Sequence, residues 1–113
     1  MNDVSLTDPE SLVPRDLLDR VVSYFRPVRV LLFGSRARRE ATADSDTDLM
    51  VILDDDAPAH HATLQAGWEA RRGYDEPADV IPVRQSAYQR RAKIVGTLAY
   101  EVSQDGVSVY ERD

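Results

Sequence analysis

Asp46-Thr47-Asp48 opens an apolar run, Leu49-Met50-Val51-Ile52-Leu53. In an extended strand, side chains two positions apart point to the same face and stand about 6.5–7 Å apart. Asp46 and Asp48 can therefore face one divalent cation or a pair of them. Magnesium takes such oxygen ligands together with phosphates and water. Asp79 stands in a second apolar setting, Ala78-Asp79-Val80-Ile81, where an unpaired carboxylate is costly to bury. If its strand lies beside that of Asp46 and Asp48, three carboxylates meet, and their repulsion calls for a cation. Gly34-Ser35 follows a third run, Val28-Arg29-Val30-Leu31-Leu32-Phe33. Glycine permits a tight turn and close backbone approach, and the amides that follow, with the Ser35 hydroxyl, can bind phosphate oxygens. Each feature alone has an ordinary structural counterpart: a simple turn, a solvated strand end, an edge aspartate facing water.

The elements that must position these residues follow from periodicity and turn residues. A loose lead-in over residues 1–8 precedes Asp8-Pro9, which can cap and open a short helical turn. Leu17, Leu18, Val21, Val22 and Phe25 recur at three- and four-residue spacing and predict a helix over 14–25, ended by Pro27. Strands are predicted over 28–33, 46–53, 78–81 and 107–110, the third cut by Pro82. A short helix over 36–40 and a loop over 41–45 join the first two strands. Asp54-Asp55-Asp56 reads as a solvated turn. Residues 59–72 read as an amphipathic helix with Leu64 and Trp68 on one face, closed by Gly73. Residues 86–104 are mainly helical, with Ile94, Leu98 and Val102 on one face and a break at Gly96. This order predicts an α/β (α+β) fold: a small mixed sheet of about four strands packed with helices, as a single domain over 1–113.

The chain has 113 residues and a formal net charge of −6. Such a balance repels a phosphate backbone on average and argues against nucleic-acid binding. A nucleotide site remains open, because bound cations reverse the local field. The absence of cysteine excludes disulfides and thiolate chemistry and fits a reducing cytoplasm. The N-terminus is polar and acidic, unlike a signal peptide, and no apolar stretch approaches the length of a membrane span. Arg84, Arg90, Arg91 and Lys93 form a local basic run, read as a solvated helix face. His60 and His61 are adjacent, so they read as surface residues rather than a metal site. Tyr24, Tyr88, Tyr100 and Tyr110 read as core or interface residues; Tyr100 or Tyr110 could also be a target of self-modification.

Three segments in order, Leu32-Phe33-Gly34-Ser35-Arg36-Ala37-Arg38, Ser45-Asp46-Thr47-Asp48-Leu49-Met50-Val51 and Asp79-Val80-Ile81, resemble the minimal nucleotidyltransferase family, within the DNA polymerase beta-like nucleotidyltransferases. The ending, residues 98–112, is similar to the tail of small members. The resemblance implies a magnesium-dependent transfer of AMP from ATP to a hydroxyl. Asp46, Asp48 and Asp79 would then be catalytic metal ligands, with Asp79 the general base. Gly34 and Ser35 would hold the β- and γ-phosphates, joined by Arg36 and Arg38. Small members pair with a HEPN-type toxin and transfer AMP to a toxin tyrosine as antitoxins. The competing reading is a non-catalytic antitoxin that keeps the fold and neutralises its partner by binding. The departure that bears on this choice is Arg39, which stands where many relatives have glycine.

Overall fold

The computed structural model describes residues 12–42 and 45–112. The expected lead-in and the turn at Asp8-Pro9 lie outside the described residues. Helix α1 (Arg15–Phe25) starts after Pro14 and buries Leu17, Leu18, Val21 and Phe25, as the periodicity predicts. It ends at Arg26, whose left-handed backbone (φ 46°) lets its N–H donate to the Val22 carbonyl ahead of Pro27.

Strands β1 (Arg29–Phe33), β2 (Thr47–Leu53), β3 (Ala78–Arg84) and β4 (Val107–Glu111) form one mixed sheet in the order β3-β2-β1-β4. β1 is antiparallel to β2 and β4, and β2 is parallel to β3. β2 is central and buried on both faces along Leu49–Leu53. Its odd positions, Leu49, Val51 and Leu53, pack with Val30, Leu32, Val80 and α1. Its even positions, Met50 and Ile52, pack with Leu31 on the opposite face. That second face is covered by α3 (Gln85–Arg91) and α4 (Leu98–Asp105) through Tyr88, Ala99 and Val102. Gly96, at φ 97°, lies in the connection between these two helices, where the break was expected. Among the described residues, no helix is long and apolar enough to cross a membrane.

β3 continues through Pro82 to Arg84, beyond the expected stop. The Pro77 carbonyl accepts from the Thr47 N–H of β2. Backbone groups alternate sides along a strand, so those of Val80 and Pro82 point out of the sheet. Proline lacks its N–H on the side where no neighbouring strand needs it.

The segment 59–72 is not one helix. A 3-10 turn (Ala59–His61) is followed by α2 (Leu64–Ala70), which Thr63 caps by accepting from the Ala66 N–H at 3.1 Å. The core face of α2 is Ala66, Gly67 and Ala70. Leu64 and Trp68 are 72% and 57% exposed. Small residues win the inner face because α2 runs hard against β3: a Cβ on Gly67 would overlap the Val80 carbonyl oxygen. Ile94 and Leu98, expected on one face with Val102, are likewise exposed, while Val102 is buried.

The expected helix over 36–40 is a single turn closed at once. Arg38 N–H donates to Gly34, then Arg39 to Arg36 and Glu40 to Ser35, with Arg39 left-handed at φ 61°. The last two bonds are those of a Schellman cap, in which glycine usually takes the left-handed position. The glycine of relatives thus answers a backbone requirement, which Arg39 meets with an exposed side chain.

Two stability outcomes follow. Gly67→Ala, which in an open helix would stabilise, should destabilise by about 1–3 kcal/mol through overpacking. Arg39→Gly should stabilise by about 0.5–1 kcal/mol by relieving the left-handed arginine. Urea unfolding of the two variants checks both signs.

Candidate active site

Parallel pairing of β2 with β3 sets Asp48 directly beside Asp79. Cross-strand partners share a face, and Asp46 lies two positions before Asp48, so all three carboxylates are directed to one side. One carboxylate oxygen from each lies within 4.8 Å of the other two. Oxygens bound to a single magnesium ion at about 2.1 Å stand at most about 4.2 Å apart. The side chains therefore need only a small closure to share a cation, and an all-oxygen donor set fits a hard divalent ion. Asp46 and Asp79 are exposed, whereas Asp48 is half-buried.

The cluster is electrostatically unfavourable by itself. The pKa of Asp48 is raised, first by burial, then by the charges of Asp79 and Asp46 and a side-chain hydrogen bond with Asp79. The Arg36 charge opposes this rise.

Gly34 follows Phe33, the β1 partner of Asp48. It is required twice over: its φ is 77°, and a Cβ there would overlap the Asp48 carboxylate. The Gly34-Ser35 turn thus lies against the acidic cluster. Arg36 is half-buried, and its guanidinium donates to the Ser45 carbonyl at 2.9 Å. It ties the turn to the loop that delivers Asp46. Its Nε is buried without a hydrogen-bond partner among the described residues. Arg38 is exposed, pairs with Glu40 at 3.1 Å, and borders with Gly34, Leu98, Glu101 and Asp105 a cavity of about 220 Å³. Arg39 faces a separate hollow with Leu12, Arg36 and Ala41.

The remaining candidates lie elsewhere. His61 is less exposed than a surface position: its ring centre lies 5.2 Å from that of Tyr24, tilted, and 5.6 Å from that of Phe25, edge to face. Burial, then the His60 charge, lowers its pKa. Tyr88 is buried in the core beneath α3, and Tyr24 and Tyr110 pack at the edge of the other core. The basic run divides, with Arg84 fixed to the Asp55 and Ala57 carbonyls and Arg90, Arg91 and Lys93 exposed. In the acidic turn, Asp55 accepts from the Ser86 N–H and Asp54 pairs with Arg112 at 2.9 Å. Sequence reasoning missed Leu64, Trp68 and Arg71, which border Asp79 along the outer edge of β3. The available signal was the small-residue set Ala66, Gly67 and Ala70, which turns the large residues of the same helix outward.

A raised carboxylate pKa favours the protonated form in the folded state, so ionised Asp48 opposes folding above that pKa. Asp48→Asn should therefore raise the melting temperature of the metal-free protein at pH 7. The gain should vanish below the ordinary carboxylate range, about pH 4, where both states are protonated. Magnesium should raise the melting temperature of the wild type more than that of the variant. Thermal melts across pH, with and without magnesium, check both.

A search of curated proteins by sequence finds no match. The fold is similar to that of a Sulfolobus solfataricus protein assigned as a nucleotidyltransferase, with TM-score 0.55 and 21% identity over 86% of this chain and 76% of that one. It is also similar to a chain of a toxin–antitoxin complex solved with AMP-PNP, with TM-score 0.57 and 14% identity over 89% of this chain and 76% of that one. The family model described as polymerase beta, nucleotidyltransferase matches residues 16–113. The chain belongs to the polymerase beta nucleotidyltransferase family.

Proposed function

We propose that this protein transfers AMP from ATP, with magnesium, to a tyrosine hydroxyl of a HEPN-type toxin, and so acts as a cytoplasmic antitoxin. The observation that carries this reading is the meeting of Asp46, Asp48 and Asp79 on one face beside the Gly34-Ser35 turn. Family membership supports the reaction class. The toxin–antitoxin complex with AMP-PNP supports the kind of partner and nucleotide. Arg39 no longer favours a binding-only role, since a backbone cap accounts for it.

Asp46, Asp48 and Asp79 would hold magnesium, which supplies positive charge against the phosphates and the entering and leaving oxygens. Gly34 brings its backbone close to the cluster and, with Ser35, offers donors to the β- and γ-phosphates. Arg36 keeps the Asp46 loop in place. Arg38 stands at the rim as a cation for leaving-group charge. Asp79 accepts the acceptor hydroxyl proton as that oxygen bonds to the α-phosphorus. The bond from this phosphorus to the bridging oxygen breaks, and pyrophosphate leaves with the electron pair.

Intact-mass spectrometry of the protein and its toxin partner after incubation with ATP and magnesium tests this. The partner should gain the mass of AMP, and the Asp46→Ala/Asp48→Ala variant should abolish the gain. Asp79→Asn should slow transfer about 10²–10⁴-fold while nucleotide binding is retained. A stable complex with bound nucleotide and no added mass would overturn the proposal.

A further inference from the structure

Leu64 and Trp68 stand one turn apart on the exposed side of α2, above the outer edge of β3. With Arg71, Val80 and Ile81 they border a cleft of about 310 Å³ that reaches Asp79. Its walls are well fixed. Arg71 donates to the Tyr74 and Glu76 carbonyls at 2.9 and 2.7 Å, and the Arg72 guanidinium lies 5.1 Å from the Trp68 ring centre. The contact of Gly67 with the Val80 carbonyl sets the distance between α2 and β3.

The cleft carries large apolar side chains along its length and two charged residues, Asp79 and Arg71, whose guanidinium is already engaged by the Tyr74 and Glu76 carbonyls. A flat apolar body with a protonated polar tip matches the apolar walls and the Asp79 carboxylate, and a phenol has that form. A short aliphatic hydroxyl such as that of serine reaches the carboxylate only by leaving the apolar walls unfilled. The cleft is also continuous with the acidic cluster, because Asp79 belongs to both.

We infer that the α2–β3 cleft seats the phenolic ring of a tyrosine presented by the partner polypeptide, with Trp68 and Leu64 selecting it. This rests on the transferase reading above, and the step is the one given there with the phenolic oxygen as nucleophile. Trp68 and Leu64 are thus specificity residues that contact the acceptor and leave the nucleotide alone.

Trp68 is the single tryptophan of the chain, so intrinsic fluorescence reports on the cleft directly. Titration with N-acetyl-tyrosinamide should give a saturable change, and N-acetyl-serinamide should give none. Leu64→Ala should weaken the tyrosine response about tenfold, the scale of losing apolar contact in a pocket. AMP-PNP with magnesium should not displace the tyrosine probe. In the transfer assay, Trp68→Ala should raise KM for a tyrosine acceptor with KM for ATP unchanged. Both residues are exposed, and unchanged melting temperatures would confirm that the variants fold. A response absent or equal for the two probes would overturn the inference, as would displacement by AMP-PNP, which would place the nucleotide base in the cleft. A saturable tyrosine response without AMP transfer would overturn the transferase reading alone. Transfer to tyrosine with a silent Trp68 would overturn the cleft alone.

Discussion

Three negative charges held at the seam of two parallel strands set the terms for the rest of this structure. Pairing Asp48 with Asp79 makes their approach a property of the sheet register, so it cannot be relaxed without slipping β3 against β2. The register is defended by what lies further along the same strands. Leu49 and Val80 share the α1 face, and a one-residue slip would drive apolar side chains to the wrong side. The packed interior thus maintains a repulsion that the site alone would disperse. The same constraint fixes Gly34, since a side chain there would occupy the space of the Asp48 carboxylate.

The acidic cluster was legible because its logic is local. Asp46 and Asp48 share a face through strand periodicity; Asp79 joins them through the β2–β3 register and not through burial, since it is exposed on an edge strand. The meeting of Asp79 with that pair required only that its strand lie next to β2. α1 and the other strands were equally legible, because their apolar residues point where their periodicity says, whereas β3 runs past its expected stop at Pro82. Legibility failed at α2 and around Gly96, where spacing grouped large apolar residues on one face without saying which way that face turns. Ile94 and Leu98 are exposed in and just after the α3–α4 connection, and Leu64 and Trp68 lie outside because the space between α2 and β3 is too shallow for them. Ala66, Gly67 and Ala70 occupy it instead. Spacing identifies which residues share a face, and only the helix–sheet distance decides which face is buried.

Arg36 and Arg39 show how neighbouring arginines in one turn can differ in kind. Arg36 is an internal tie whose charge and hydrogen bond both serve the aspartates. Arg39 contributes a backbone conformation and sends its side chain outward. Side-chain chemistry alone could not separate them, because the distinction lies in φ and in a carbonyl nine residues away from Arg36.

Pro82 has a consequence for how this family member can change. With no N–H at Pro82 on the outer side of β3, and with α2 lying against the Val80 carbonyl, this edge is a poor template for adding another strand. Under the proposed function, a visiting chain would be read by side chains on α2, not by extension of the sheet. Those side chains are exposed and carry little of the core, so they are free to drift under selection. The edge that resists strand addition would therefore leave partner choice to residues outside the core, apart from the strands that bear the aspartates.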